Sequence, residues 1–145
     1  MGNKLLEVKN LKKYFTVANG RQLHAVDNVS FAINEGETLG IVGESGCGKS
    51  TLGRAILRLH EPTGGKVIYD GMDVISLSDD EMRQMRRHMQ IVFQDPYASL
   101  NPRFTISQII EEPLKLHKIY KSAAERREKV EQLMDLVGLH KRMCN

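Results

Sequence analysis

The sequence is poor in the features that would staple a chain together or anchor it in a membrane. Only two cysteines, Cys47 and Cys144, occur in 145 residues. Two cannot build a disulfide framework, and neither sits in a spaced metal motif, so a reducing compartment fits. The longest apolar stretches, such as Leu39 to Val42 and Ile91 to Phe93, fall far short of the roughly 20 residues a spanning helix needs. The opening Met1-Gly2-Asn3-Lys4-Leu5-Leu6 carries no hydroxyl where a myristoylation signal requires one, and no basic-then-apolar secretory pattern follows, which reads as a cytosolic chain. Five histidines, His24, His60, His88, His117 and His140, are scattered without a second ligand at metal spacing, which argues against a histidine-built metal site. Charge of one sign is not in large excess. The 21 Lys and Arg against 18 Asp and Glu interleave through Asp79–His88 and Glu125–Lys129, the pattern of solvated helix faces rather than of a nucleic-acid surface.

What is present is a soluble, core-forming composition: 41% hydrophobic and 27% charged residues, one domain's worth of polymer. Leu5–Val8 and Leu23–Ile33 flank an Asn19-Gly20 turn signal, and this predicts antiparallel strands. Thr38–Val42 is apolar without alternation, which predicts a strand covered on both faces of a parallel sheet. Beyond Gly48, Leu52, Ala55, Ile56 and Leu59 fall at i, i+3, i+4 and i+7, with Arg54 and Arg58 opposite, the spacing of an amphipathic helix. Lys66–Tyr69 before Asp70-Gly71 predicts a hairpin arm or edge strand. Ser78–Glu81, Thr105–Gln108 and Ser122–Glu125 each spell a capping box. The first predicts a helix to about His88. The last predicts one that buries Val130, Leu133, Met134 and Val137 and stops at Gly138. Pro113 is expected to end or kink the middle helix. Met89–Phe93 reads as a further buried strand, broken at Gln94-Asp95-Pro96.

One segment carries recognisable chemistry. Gly43-Glu44-Ser45-Gly46-Cys47-Gly48-Lys49-Ser50 fits G-x-x-x-x-G-K-[ST] and lies between an expected strand and an expected helix, as a phosphate-binding loop requires. Glycines let successive amides turn inward toward phosphate oxygens, and the helix start adds its positive dipole end. In such a loop Lys49 neutralises the β and γ phosphates of a nucleotide and the Ser50 hydroxyl coordinates Mg²⁺. Cys47 sits where a helix dipole could activate a thiol. No general base accompanies it in sequence, and it is read as a loop residue whose side chain is tolerated.

Taken with the later run Ile91-Val-Phe-Gln-Asp-Pro-Tyr-Ala-Ser-Leu-Asn-Pro-Arg103, the segment Gly43 to Thr51 resembles the nucleotide-binding subunits of ABC transporters, most of all those of oligopeptide and dipeptide importers. The resemblance runs over essentially the whole chain, from Val8-Lys9-Asn10-Leu11 to Leu136-Val137-Gly138-Leu139. It implies an α/β fold: a P-loop NTPase, RecA-like core with an amino-terminal antiparallel β-subdomain and the start of a helical subdomain. Residues 1–102 would hold the β-subdomain and core, and 103–145 the first part of the helical subdomain. ATP would be held by Phe15, the loop from Gly43 through Glu44, Ser45, Gly46, Cys47 and Gly48 to Lys49, Ser50 and Thr51, and Gln94. Phe15, with Tyr14 as the alternative, would stack on adenine, a contact worth very roughly 1 kcal/mol. Gln94 would join Ser50 at Mg²⁺ and position the attacking water, after which Asp95-Pro96 turns the chain toward the helical arm. The implied partners are a second ABC ATPase subunit, integral membrane permeases and, indirectly, a solute-binding protein, with no nucleic acid. The implied location is peripheral, on the cytoplasmic face of the membrane.

The departures from that family are equally specific. No Leu-Ser-Gly-Gly-Gln signature, no apolar strand ending in Asp with Glu after it, and no switch His occurs in the 145 residues. The chain therefore reads as an amino-terminal portion of such a subunit, holding half of a composite ATPase site and inactive by itself. Its central sheet would then lack strands and present an unpaired edge. Two alternatives stay open on the residues alone: an ABC-type ATPase of translation, DNA repair or chromosome maintenance, and a small-molecule kinase that shares only the phosphate loop.

Overall fold

The computed structural model describes residues 3–95 and 99–139. The chain divides into two compact units, Met1–Ile91 and Val92–Asn145.

The first unit is built on a long antiparallel hairpin. Strand β1 (Lys4–Thr16) and strand β2 (Gln22–Asn34) are joined by a short 3-10 turn in which Asn19 and Gly20 take positive φ. Asn is the non-glycine residue best suited to that conformation, which is why Asn-Gly marked the turn in sequence. Strand β3 (Gly64–Tyr69) pairs with the other edge of β1, and the two-residue strand β4 (Met72–Asp73) pairs with β3, giving the order β2-β1-β3-β4. Tyr69 lies opposite Met72 across Asp70-Gly71, both at positive φ, the geometry of a two-residue hairpin turn.

Helix α1 (Lys49–Ile56) and helix α2 (Asp79–Met85) cover this sheet. Val8, Leu11, Val26 and Val67 from the strands, with Leu52, Ala55, Val74, Met82 and Met85, form one buried cluster. Arg58 ties the layers together. It closes α1 at positive φ, while its guanidinium, 15% exposed, donates to Leu77 O (2.5 Å) and Val74 O (3.5 Å) and pairs with Glu61 (2.7 Å). Leu59, expected on the helix, lies beyond its end and is 40% exposed. The Ser78 capping box forms as expected, although α2 ends at Met85 rather than near His88.

The second unit contains helix α3 (Ile106–Leu116) and helix α4 (Ala123–Leu136), each opened by its expected capping box from Thr105 and Ser122. Pro113 neither ends nor interrupts α3, which continues three residues past it; a proline near the carboxyl end removes only one ladder bond. Val130 and Met134 are buried, whereas Val137 is 66% exposed because α4 has already finished. Gly138, at φ 75, then donates to Asp135 O (3.1 Å) and Leu139 to Met134 O (2.9 Å), a Schellman closure.

Two expected strands are not formed. Residues 38–42 and 89–93 have no sheet pairing among the described residues, and Val42 and Val92 are 92% and 97% exposed. An apolar run becomes a strand only when another strand completes its ladder, and the sheet that does form is antiparallel and lies elsewhere. Among the described residues no helix is long and apolar enough to cross a membrane.

Candidate phosphate-binding site

The candidate loop follows β2 and leads directly into α1. Gly43, Glu44, Ser45, Gly46, Cys47 and Gly48 form the irregular turn, and Lys49, Ser50 and Thr51 are the first three helical residues. The turn needs glycine for two separate reasons. Gly46 and Gly48 have φ of +81° and +100°, and a Cβ on Gly48 would come within 2.1 Å of the Ala25 carbonyl oxygen on β2. Strand β2 therefore sets how closely the loop can approach the sheet, a constraint with no signature in the local sequence.

The start of α1 differs physically from those of α2, α3 and α4. Those three begin with Ser or Thr, whose hydroxyl accepts an amide of the first turn and whose partner Glu or Gln reaches back. At α1 the cap is Gly48, which offers no side chain. The first ladder bond runs from Leu52 N–H to Gly48 O at 2.8 Å, so the amides of Lys49, Ser50 and Thr51 precede the ladder. Unsatisfied donors with the helix dipole behind them favour an anion. No acidic residue lies in that first turn to neutralise them.

The side chain of Lys49 folds over the loop. Its Nζ donates to Gly43 O (2.8 Å) and Glu44 O (2.6 Å) and lies 3.6 Å from the Cys47 Sγ. One positive charge thus closes the turn whose amides it accompanies. A second internal bond, Cys47 N–H to Glu44 O at 3.3 Å, braces the curve. Ser50 is exposed and Thr51 half-buried, so the Ser50 hydroxyl is accessible on the first turn. A magnesium nucleotide fits this set: backbone donors and a cation for the phosphates, and a neutral oxygen for the metal.

Phe15 lies on β1, half-buried, with its ring edge-on to His60 (5.5 Å between centroids) and the Lys13 ammonium 4.8 Å from its ring centre. Its neighbour Tyr14 is engaged otherwise. The Tyr14 ring stacks on His24 at 3.8 Å and its hydroxyl donates to Asp27 at 2.5 Å. That bond holds the Tyr14 phenol above its ordinary pKa and the Asp27 carboxyl below its own. This cluster of Tyr14, His24 and Asp27 was not legible in the sequence, because the hairpin register that assembles it is a long-range property. Gln94 lies in the second unit, exposed and in irregular backbone, and Ser99 Oγ donates to Asp95 O at 3.0 Å. The residues 96–98 that follow lie outside the described ones, and with them the turn expected at Pro96.

Residues 26–144 match the ABC transporter family. The chain is 50% identical to the oligopeptide transport ATP-binding protein AppF of Bacillus subtilis (strain 168) over 94% of its length and 43% of the relative's. It is 51% identical to OppF of the same organism, over 100% of this chain and 48% of that one. The chain thus spans less than half the length of these relatives. Among solved structures, the ATP-binding cassette MJ0796, dimeric in a post-hydrolysis state with ADP and Pi, superposes with a TM-score of 0.79 at 33% identity, covering 97% of this chain and 60% of that one. The fold is accordingly the α/β P-loop NTPase fold of ABC cassettes. With a family match over most of its length, this chain belongs to the ABC transporter family.

Proposed function

We propose that this chain is the nucleotide-binding part of an ABC importer's ATPase subunit, one that couples ATP hydrolysis to the transport of peptides across a membrane. The observation that carries the reading is the α1 start, where a glycine cap leaves amides free beside Lys49. The roughly 50% identity to oligopeptide transport ATP-binding proteins supports peptides as the cargo class.

In this reading the loop amides and Lys49 bind the β and γ phosphates, and Lys49 stabilises charge that builds during phosphoryl transfer. Ser50 would hold Mg²⁺, whose chemistry is to neutralise the phosphate oxygens. Phe15 offers a ring face for adenine, Tyr14 being occupied by His24 and Asp27. Gln94 is assigned to the metal and the attacking water. By the family resemblance, the loop would face the signature segment of a second ATPase subunit in the whole protein; signature, Asp-Glu and switch His do not occur in these 145 residues. Permease subunits would receive the motion at the cytoplasmic face of the membrane.

The test is Mg-ATP binding by titration calorimetry, with and without Lys49→Ala. The chain is expected to bind weakly and turn over negligibly, and the substitution should weaken binding at least about tenfold, or about 1.4 kcal/mol. Equal binding by both forms would overturn the site assignment, and robust Lys49-dependent hydrolysis by the 145 residues alone would overturn the expectation of negligible turnover. For the cargo, uptake of a labelled peptide by the whole transporter should stop with Lys49→Ala, and continued uptake would remove that part of the reading.

A further inference from the structure

The second unit holds a concave surface of its own. Lys115 at the end of α3, Lys118, Tyr120 and Lys121 in the connection, and Arg126 on the first turns of α4 line one open pocket of about 390 Å³. That is within the size range of small-ligand sites. Four cations meet there, with one carboxylate between two of them. Glu111 pairs with Lys115 (2.9 Å) and Arg126 (3.2 Å). Lys118 and Lys121 have no ion-pair partner among the described residues.

The connection that carries them is pinned at both ends. Lys118 takes a positive φ of 51°, its N–H donates to Lys115 O (3.1 Å), and Ile119 N–H donates to Leu114 O (3.1 Å), so α3 closes with a Schellman turn built on lysine. Ser122 then caps α4 through Glu125. A non-glycine residue held in this conformation costs about 1–2 kcal/mol, yet it fixes where the Lys118 side chain leaves the backbone. The cations are therefore spaced by the fold instead of being spread along a free loop, and like charges held together favour a counter-ion of matching charge.

We infer that this pocket binds a phosphate-bearing anion, with Lys118 and Lys121 as the charges it neutralises, Arg126 as a planar donor and the Tyr120 hydroxyl as a neutral one. Guanidinium and ammonium groups with a phenol beside them suit a phosphate, which offers several oxygens to separate donors. Free phosphate compounds and the headgroups of anionic phospholipids share this chemistry.

The experiment uses the full chain in a Lys49→Ala background, which weakens phosphate binding at the candidate nucleotide loop. Inorganic pyrophosphate is titrated by calorimetry. In a parallel arm the protein is co-sedimented with phosphatidylglycerol–phosphatidylcholine vesicles, with phosphatidylcholine alone as blank. The pocket variant is Lys118→Gln with Lys121→Gln, and the charge-matched control is Arg21→Gln with Lys66→Gln. Binding in at least one arm, weakened about tenfold by the pocket variant and unchanged by the control, supports the inference. Pyrophosphate alone would identify a soluble ligand, and vesicles alone a headgroup. No binding in either arm, or equal loss in both variants, overturns it. Circular dichroism checks folding, and Lys121→Gln alone serves if the double variant unfolds.

Discussion

Three glycines close together in sequence give a graded test of what holds the loop. Gly53 lies inside α1 with open space at its Cβ position, so Gly53→Ala should stabilise the first unit by about 0.5–1 kcal/mol through helix propensity. Gly46 has φ +81° and nothing within 4 Å; Gly46→Ala should cost only the left-handed strain, about 1–2 kcal/mol. Gly48 combines φ +100° with the Ala25 carbonyl at 2.1 Å. An ordinary carbon–oxygen contact is about 3.3 Å, so strand or loop must shift by more than about 1 Å. Displacing packed backbone adds about 1–3 kcal/mol, giving about 2–5 kcal/mol in all for Gly48→Ala. Urea unfolding with a slope of about 2 kcal/mol per molar resolves these values: the midpoint should rise by up to about 0.5 M for Gly53→Ala, fall by about 0.5–1 M for Gly46→Ala, and fall by at least about 1 M for Gly48→Ala. The reasoning fails if Gly48→Ala is no more destabilising than Gly46→Ala, because the Ala25 carbonyl would then not be limiting the loop.

Arg58→Ala should destabilise the first unit by about 1–3 kcal/mol, since it leaves the Leu77 and Val74 carbonyls without their donor; a fall in the urea midpoint of less than about 0.5 M would deny the arginine its bridging role. Glu111 is held below the ordinary carboxylate range, first by Lys115 and then by Arg126 on the neighbouring helix. A depressed carboxylate contributes stability above its unfolded pKa and loses it as pH falls through the lower folded value. Protection of α3 and α4 amides from hydrogen exchange should therefore decline with acidification below about pH 4.5 in the native chain, and Glu111→Gln should flatten that decline; an identical profile in both would sink the account. In a Cys144→Ser variant, maleimide should label the exposed Cys47, and Mg-ATP should slow the labelling; unchanged labelling would separate the thiol from the nucleotide.

The parts legible in sequence are those whose physics is local. Ser78 with Glu81, Thr105 with Gln108 and Ser122 with Glu125 cap their helices as expected because both partners lie within one turn. Asp70-Gly71 and Asn19-Gly20 turn for the same reason, since their φ angles are decided by the residues themselves. The candidate phosphate loop bends for an equally local reason, since Gly46 and Gly48 accept the positive φ its turn requires. What sequence could not supply depends on distant partners. Residues 38–42 and 89–93 are apolar enough for strands, but a ladder needs a second chain segment. Helical spacing puts Arg58 opposite the apolar face, whereas its turn to Leu77 depends on where α2 packs. The fit of Gly48 to Ala25 likewise joins residues that no spacing rule connects.

The close approach of Ala25 to Gly48 also sets an order of assembly. The β1–β2 hairpin closes through contacts between neighbouring strands, on the microsecond scale typical of hairpins. The loop meets its stop only once that hairpin stands in register, including the bulge that places Val26 opposite Lys13. Nucleotide competence would then arrive late in folding, and a nascent chain carrying all of Gly43–Ser50 but an unformed hairpin would not yet hold phosphate.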